Sequence, residues 1–261
     1  MITIPQRESN NQVEDKNPEN PNEDTARFEE VQVELEEPLG GVDSLSAVIG
    51  IPEWWPTGTR VAVVIAHGEG DMNDPLVTAV HRNLANRRFY TVRFNFPFAE
   101  AGADKDAASP EILDKAFRAA LSVLGRDPTA APSQVFIGGT GAGALAAARL
   151  ATTRFPIDGL FFLGYPLHPS GQPEASEADL LYRLIPSMLF LQGSEDPNCP
   201  LDDLRRCLSR VGTPSSLRII QGADHSLIRP EAADHPPARE AGYKAVSRVV
   251  EQWLEGLLDQ P

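Results

Sequence analysis

The chain has 261 residues, 41% of them hydrophobic, and a formal net charge of −14. That length and apolar share suit a folded α/β chain that buries its own core. The charge argues against nucleic acid, whose phosphates call for a basic face, and against docking on an anionic membrane.

Residues 1–27 read as a disordered acidic tail. Between Arg7 and Asp24 the only large apolar residue is Val13, so burial could not offset the entropy of ordering the segment. No apolar run approaches the roughly 20 residues of a membrane span, and the first residues lack a signal-like apolar stretch. A cytoplasmic protein is therefore expected, with residues 28–261 forming a single domain.

Along that domain, Phe28 to Glu36 alternates apolar and polar residues as a half-exposed strand does. Leu45 to Ile51 is its expected antiparallel partner across the Pro38-Leu39-Gly40-Gly41 turn. Val61 to Ala66 is continuously apolar, which predicts a strand buried on both faces. Asp74-Pro75 supplies a cap and a first-turn proline for a helix carrying Leu76, Val77, Val80 and Leu84 on one side. Trp54 and Trp55, just before the buried strand, read as a hydrophobic cover. A strand over Phe89–Phe96, a helix over Ile112–Leu124 and a strand from Gln134 come next. The segments beginning at Ile157, Ser187 and Ser215 read as further strands. Val246, Val250, Trp253, Leu254 and Leu257 form the apolar face of a final helix. Strands alternating with helices predict an α/β fold, a mostly parallel sheet with helices on both faces and little or no lid.

Sites in such sheets form at the carboxyl ends of the strands. Read in order, those ends are His67-Gly68-Glu69-Gly70-Asp71, the Phe94-Asn95-Phe96 segment, and Gly139-Thr140-Gly141-Ala142-Gly143 before an alanine-rich helix. Then come Tyr165-Pro166-Leu167-His168, the Gly193-Ser194-Glu195-Asp196 turn, and Gly222-Ala223-Asp224-His225-Ser226. The set resembles the α/β-hydrolase superfamily, within it the dienelactone-hydrolase-like group that includes testis-expressed protein 30, over about residues 45 to 258. Such folds place a serine in the middle of G-x-S-x-G, on the turn from strand to helix. Here Gly141 stands in that position, and glycine has no atom with which to attack a carbonyl. Thr140 and Ala142 stand where relatives carry a basic residue and methionine, so Gly141 reads as natural divergence.

The resemblance implies Asp196 as the triad acid and His225 as the base. It also implies the Ala142 amide and the Gly68-Glu69 loop as oxyanion donors. His168 reads equally as facing the pocket or as making a hydrogen bond within its loop. The bland readings are specific too. The glycines make a tight turn, His67 shapes its loop by hydrogen bonding, and His81 and His235 sit at the surface. Cys199 lies on the wrong strand end to replace the serine. Cys199 and Cys207 match no metal or redox spacing, and the glycine run lacks the Lys-Ser/Thr pair of a P-loop. No metal and no cofactor are expected. Two readings follow. In the first, a pseudo-hydrolase binds a small ester, lactone or carboxylate, or a protein partner. In the second, an esterase or lactonase uses the Asp196–His225 dyad to activate water directly.

Overall fold

A computed structural model of the chain describes residues 25–53, 60–104, 108–126, 131–153, 155–169, 172 and 176–259. The acidic leader through Asp24 and the pair Trp54 and Trp55 lie outside the described residues.

Eight strands are described: β1 (Arg27–Leu39), β2 (Val42–Ile51), β3 (Val61–Ala66), β4 (Tyr90–Phe94), β5 (Gln134–Thr140), β6 (Gly159–Leu163), β7 (Ser187–Gly193) and β8 (Ser215–Ile220). They form one sheet in the order β1-β2-β4-β3-β5-β6-β7-β8. β1 and β2 make an antiparallel hairpin, β2 meets β4 antiparallel, and every later pairing is parallel. The chain joins the fold a little before residue 28. The N–H groups of Thr25 and Ala26 both donate to Asn86 Oδ1, at 2.9 and 3.0 Å.

Eight α-helices occur among the described residues: α1 (Pro75–Ala85), α2 (Pro97–Glu100), α3 (Pro110–Leu121), α4 (Gly141–Ala151), α5 (Ala178–Leu181), α6 (Leu201–Leu208), α7 (Pro230–Ala233) and α8 (Pro236–Leu258). A 3₁₀ turn, Ser122–Gly125, extends α3. The α1 start forms as its sequence suggests. Asp74 Oδ1 accepts the N–H groups of Leu76 and Val77 at 2.9 and 3.0 Å, ahead of a proline whose missing N–H is no loss there.

The pleat of β3 divides the core into two layers. Val61, Val63 and Ile65 pack with Val77, Val80 and Leu84 of α1 and with Val250 and Leu254 of α8. Val64 and Ala66 pack on the other side with Phe117 of α3 and the alanines of α4. All six β3 residues are buried. The small α4 side chains let that helix lie close to the sheet, which fixes the turn from β5 into α4.

One expectation fails. His81 was expected at the surface, but it is fully buried, with Nε2 3.1 Å from Val48 O. The β1–β2 hairpin extends the sheet past β4 and roofs this helix face. The Phe28 ring lies 5.5 Å from that of His81. Burial pushes the His81 pKa down to about 3, with the nearby Arg93 charge adding to the effect. His235 is exposed, at the start of α8, where its Nδ1 accepts the N–H of Ala238 at 3.3 Å.

Candidate active site

The turn between β5 and α4 is sharp. Thr140 is extended (φ −107°, ψ 151°), and Gly141 opens the helix at φ +46°, in the left-handed region. The glycines around it have different surroundings. A Cβ added at Gly139 would lie 2.3 Å from Ala66 O, and one at Gly143 would lie 2.5 Å from His67 O, so neither position admits a side chain. At Gly141 the nearest atoms would be Gly68 Cα at 3.3 Å and His225 Nε2 at 3.8 Å. A small side chain fits there with a slight shift of the Gly68 loop, and it would point at the histidine.

His225 follows β8 in the loop that opens at Gly222, and its backbone rests on Gly164. A Cβ at Gly164 would come within 2.6 Å of His225 O, which ties this loop to the end of β6. His225 Nδ1 lies 2.8 Å from Asp196 Oδ2. The Asp196 side chain is fully buried, while that of His225 is about one-third exposed. Both carboxylate oxygens are engaged. Oδ1 accepts the Asn198 N–H at 2.8 Å, and Oδ2 also accepts the side-chain amide of Gln192. Gln192 Oε1 in turn accepts the Tyr165 N–H at 3.0 Å. A carboxylate accepting at Nδ1 fixes the neutral imidazole with its proton there. Its lone pair is then on Nε2, facing the space beside Gly141, which is the arrangement of a general base.

A cleft of about 880 Å³ opens over this corner, lined by Gly68, Glu69, Thr140, Gly141, Ala142 and His225 among others. Ala142 lies in the first turn of α4, where Thr140 makes no side-chain cap. The amides of that turn, with the positive end of the helix dipole, suit an oxyanion. The Gly68-Glu69 loop forms the facing wall. His168 also lines the cleft and separates it from a smaller cavity of about 400 Å³.

The neighbouring groups behave as fixed structure. His67 is fully buried and its Nε2 accepts the Phe96 N–H at 3.0 Å. Loss of hydration takes its pKa down to about 4. Cys199 is buried, and burial, with the Asp196 carboxylate beside it, pushes the thiol up to about 12, so no thiolate is at hand near neutral pH. Among the described residues no cluster of ligating side chains could hold a metal ion, and no helix is long and apolar enough to cross a membrane.

Sequence reasoning missed Gln192 and Asn198, which hold Asp196, and Arg149, which lines the cleft paired to Asp114 at 2.8 Å. Only Gln192 left a signal: it is a polar residue inside the otherwise apolar buried strand Met188-Leu189-Phe190-Leu191.

Comparison with known proteins agrees with this architecture. The sequence profile of the alpha/beta hydrolase domain matches residues 59–254. Dienelactone hydrolase from Anabaena variabilis superposes with a TM-score of 0.67 at 18% identity, covering 89% of this chain and 98% of that one. An alpha-beta serine hydrolase homologue from Coxiella burnetii gives 0.62 at 18% identity, with 84% and 95% covered. The esterase domain of a Rhodothermus marinus protein gives 0.61 at 16% identity, with 87% and 97% covered. At these identities the likeness is one of fold.

Proposed function

The chain belongs to the alpha/beta hydrolase domain family, and from that premise we propose that it is a member of the dienelactone-hydrolase-like group that binds a small ligand without acyl-enzyme chemistry. Gly141 takes the place of the nucleophilic serine. The observation that carries this reading is the difference among the turn glycines. Gly139 and Gly143 are pressed against backbone, whereas the space at Gly141 opens toward His225 Nε2, 3.8 Å from an added Cβ. A site with that opening and an intact acid–base pair, but no attacking atom, retains the binding cleft and the oxyanion donors. Losing a triad nucleophile removes about six orders of magnitude in turnover. The cleft is the part of the machinery that remains useful, for a small ester or lactone or as a surface for a protein partner. The protein would act in the cytoplasm.

A second reading is favoured by the dyad itself. Asp196 is held by the Asn198 amide and by Gln192, an arrangement that serves to orient a working histidine. A water hydrogen-bonded to His225 Nε2 would give up its proton to that nitrogen as its oxygen attacks the ester carbonyl. The Ala142 amide would take up the developing oxyanion. General-base assistance supplies about 10²–10⁴-fold, so such an enzyme would act on reactive esters.

Hydrolysis of 4-nitrophenyl acetate by the parent chain, His225→Ala and Gly141→Ser separates these readings. Binding without catalysis gives equal, near-background rates for the parent and His225→Ala. Gly141→Ser should then gain at least about 10²-fold with a burst of nitrophenol, since the serine completes the triad. A parent rate clearly above His225→Ala favours the water mechanism. A Gly141→Ser chain that folds but gains nothing defeats the assignment of Gly141 as the nucleophile position.

A further inference from the structure

We propose that the half of the cleft floored by Leu145 holds an acyl chain, so that the ligand's carbonyl carries an unbranched aliphatic chain of about six carbons. The proposal rests on the ligand-binding reading above and names the class of ligand.

Seven of the eleven residues of α4 are buried. The four that are not, Gly141, Ala142, Leu145 and Arg149, all line the cleft. At a helical period these positions share one face, a stripe about 100° wide, so the open side of α4 is the floor of the cleft. The two faces of the sheet bring different chemistry to its walls. The side of α3 and α4 supplies Ala108, Pro110, Leu113 and Leu145. The side of α1 and α8 supplies Asp74, Leu76 and Tyr243, and the His225 loop supplies Asp224. An aliphatic chain gains most from burial against the first set.

The dyad fixes which way such a chain points. A histidine that activates water returns the proton to the departing oxygen, so that oxygen lies toward His225 Nε2. With the carbonyl oxygen at the Ala142 amide, the acyl chain is left to run along α4. Leu145 lies about 6 Å along the helix axis from Gly141. An extended carbon chain advances about 1.3 Å per carbon, so six carbons reach Leu145. Beyond it Arg149 of α4 is bound to Asp114 of α3, with Nε and Nη2 each 2.8 Å from Oδ1. This ion pair bridges the two helices. Long helical side chains lean back over the preceding turn, so Arg149 covers the floor just past Leu145. A longer chain would strip water from the pair without offering it a hydrogen bond.

Three hydrolytically inert probes test this: the N-methylamides of butanoic, hexanoic and decanoic acid. In titration calorimetry of the full chain at pH 7, affinity should rise about fourfold per methylene from butanoyl to hexanoyl and stay level at decanoyl. Leu145→Gln keeps a helix former of similar length at a partly exposed position, and should cut the hexanoyl-over-butanoyl ratio at least about threefold. Replacing both charges at the far end, Asp114→Asn with Arg149→Met, should let decanoyl bind about tenfold tighter than hexanoyl. Equal affinities for butanoyl and hexanoyl overturn the acyl subsite and leave the cleft as a ligand site. An unchanged ratio in Leu145→Gln places the chain elsewhere and overturns it as well. A further rise at decanoyl in the parent chain overturns the six-carbon limit. Binding of none of the three overturns both readings. Should Leu145→Gln fail to fold, the double variant decides, and decanoyl still level with hexanoyl defeats the proposal.

Discussion

At Gly139 and Gly143 the obstacle to a side chain is backbone, the carbonyls of Ala66 and His67, and neither can move without disturbing β3. Overpacking of that kind costs about 1–3 kcal/mol or more. Gly139→Ala and Gly143→Ala should each lower the urea midpoint by that order, even though alanine favours the α4 helix that includes position 143. Gly141→Ala meets no backbone closer than 3.3 Å and bears mainly the left-handed conformation, about 1–2 kcal/mol. Urea melts of the three variants check the ranking, and a Gly143→Ala chain as stable as the parent would defeat it. The glycine run is plain in the sequence. Which of its members has room is not, because that depends on the carbonyls of a strand some 75 residues earlier.

Elements long enough to repeat a pattern are legible from composition alone. β3 reads as buried because it is apolar without alternation, and α1 reads as a helix because Asp74-Pro75 announces its start. Asp74→Ala removes the acceptor for two first-turn amides and should cost about 1 kcal/mol in a denaturant melt, with Asp74→Asn close to neutral. A loss as large with Asn would mean that the carboxylate charge matters more than the cap. The short elements α2, α5 and α7 span four residues each and leave no period to read. α6 buries only Leu204 and Cys207. The same limit explains the partners of Asp196. Gln192 takes its second bond from Tyr165, and Asn198 is held by His168, both on the loop that follows β6 rather than on the segment that carries Asp196. Contacts between loops follow from the strand order, and the strand order is not written in either loop.

Considered as one body, the protein encloses two histidines where protons are unwelcome, and this couples its stability to pH. His67 and His81 have folded pKa values lowered to about 4 and about 3, mainly by burial, from an ordinary 6.5. Above pH 6.5 both are neutral in the folded and unfolded chain, and their contribution is complete. As pH falls below 6.5 the unfolded chain takes up protons that the folded chain excludes, and stability declines until the folded values are reached. Each excluded proton contributes a slope of up to about 1.4 kcal/mol per pH unit in that window. The urea midpoint should therefore fall steadily from pH 6.5 toward pH 4.5. His81 can be isolated because its Nε2 bonds Val48 O, a role that the amide of a glutamine can take over without titrating. His81→Gln should flatten the decline by up to about one proton's worth, beyond whatever fixed loss the exchange brings at pH 7.5. An unchanged slope in that variant would mean that the β1–β2 hairpin opens to let the proton in, and that His81 is not sealed in the native fold.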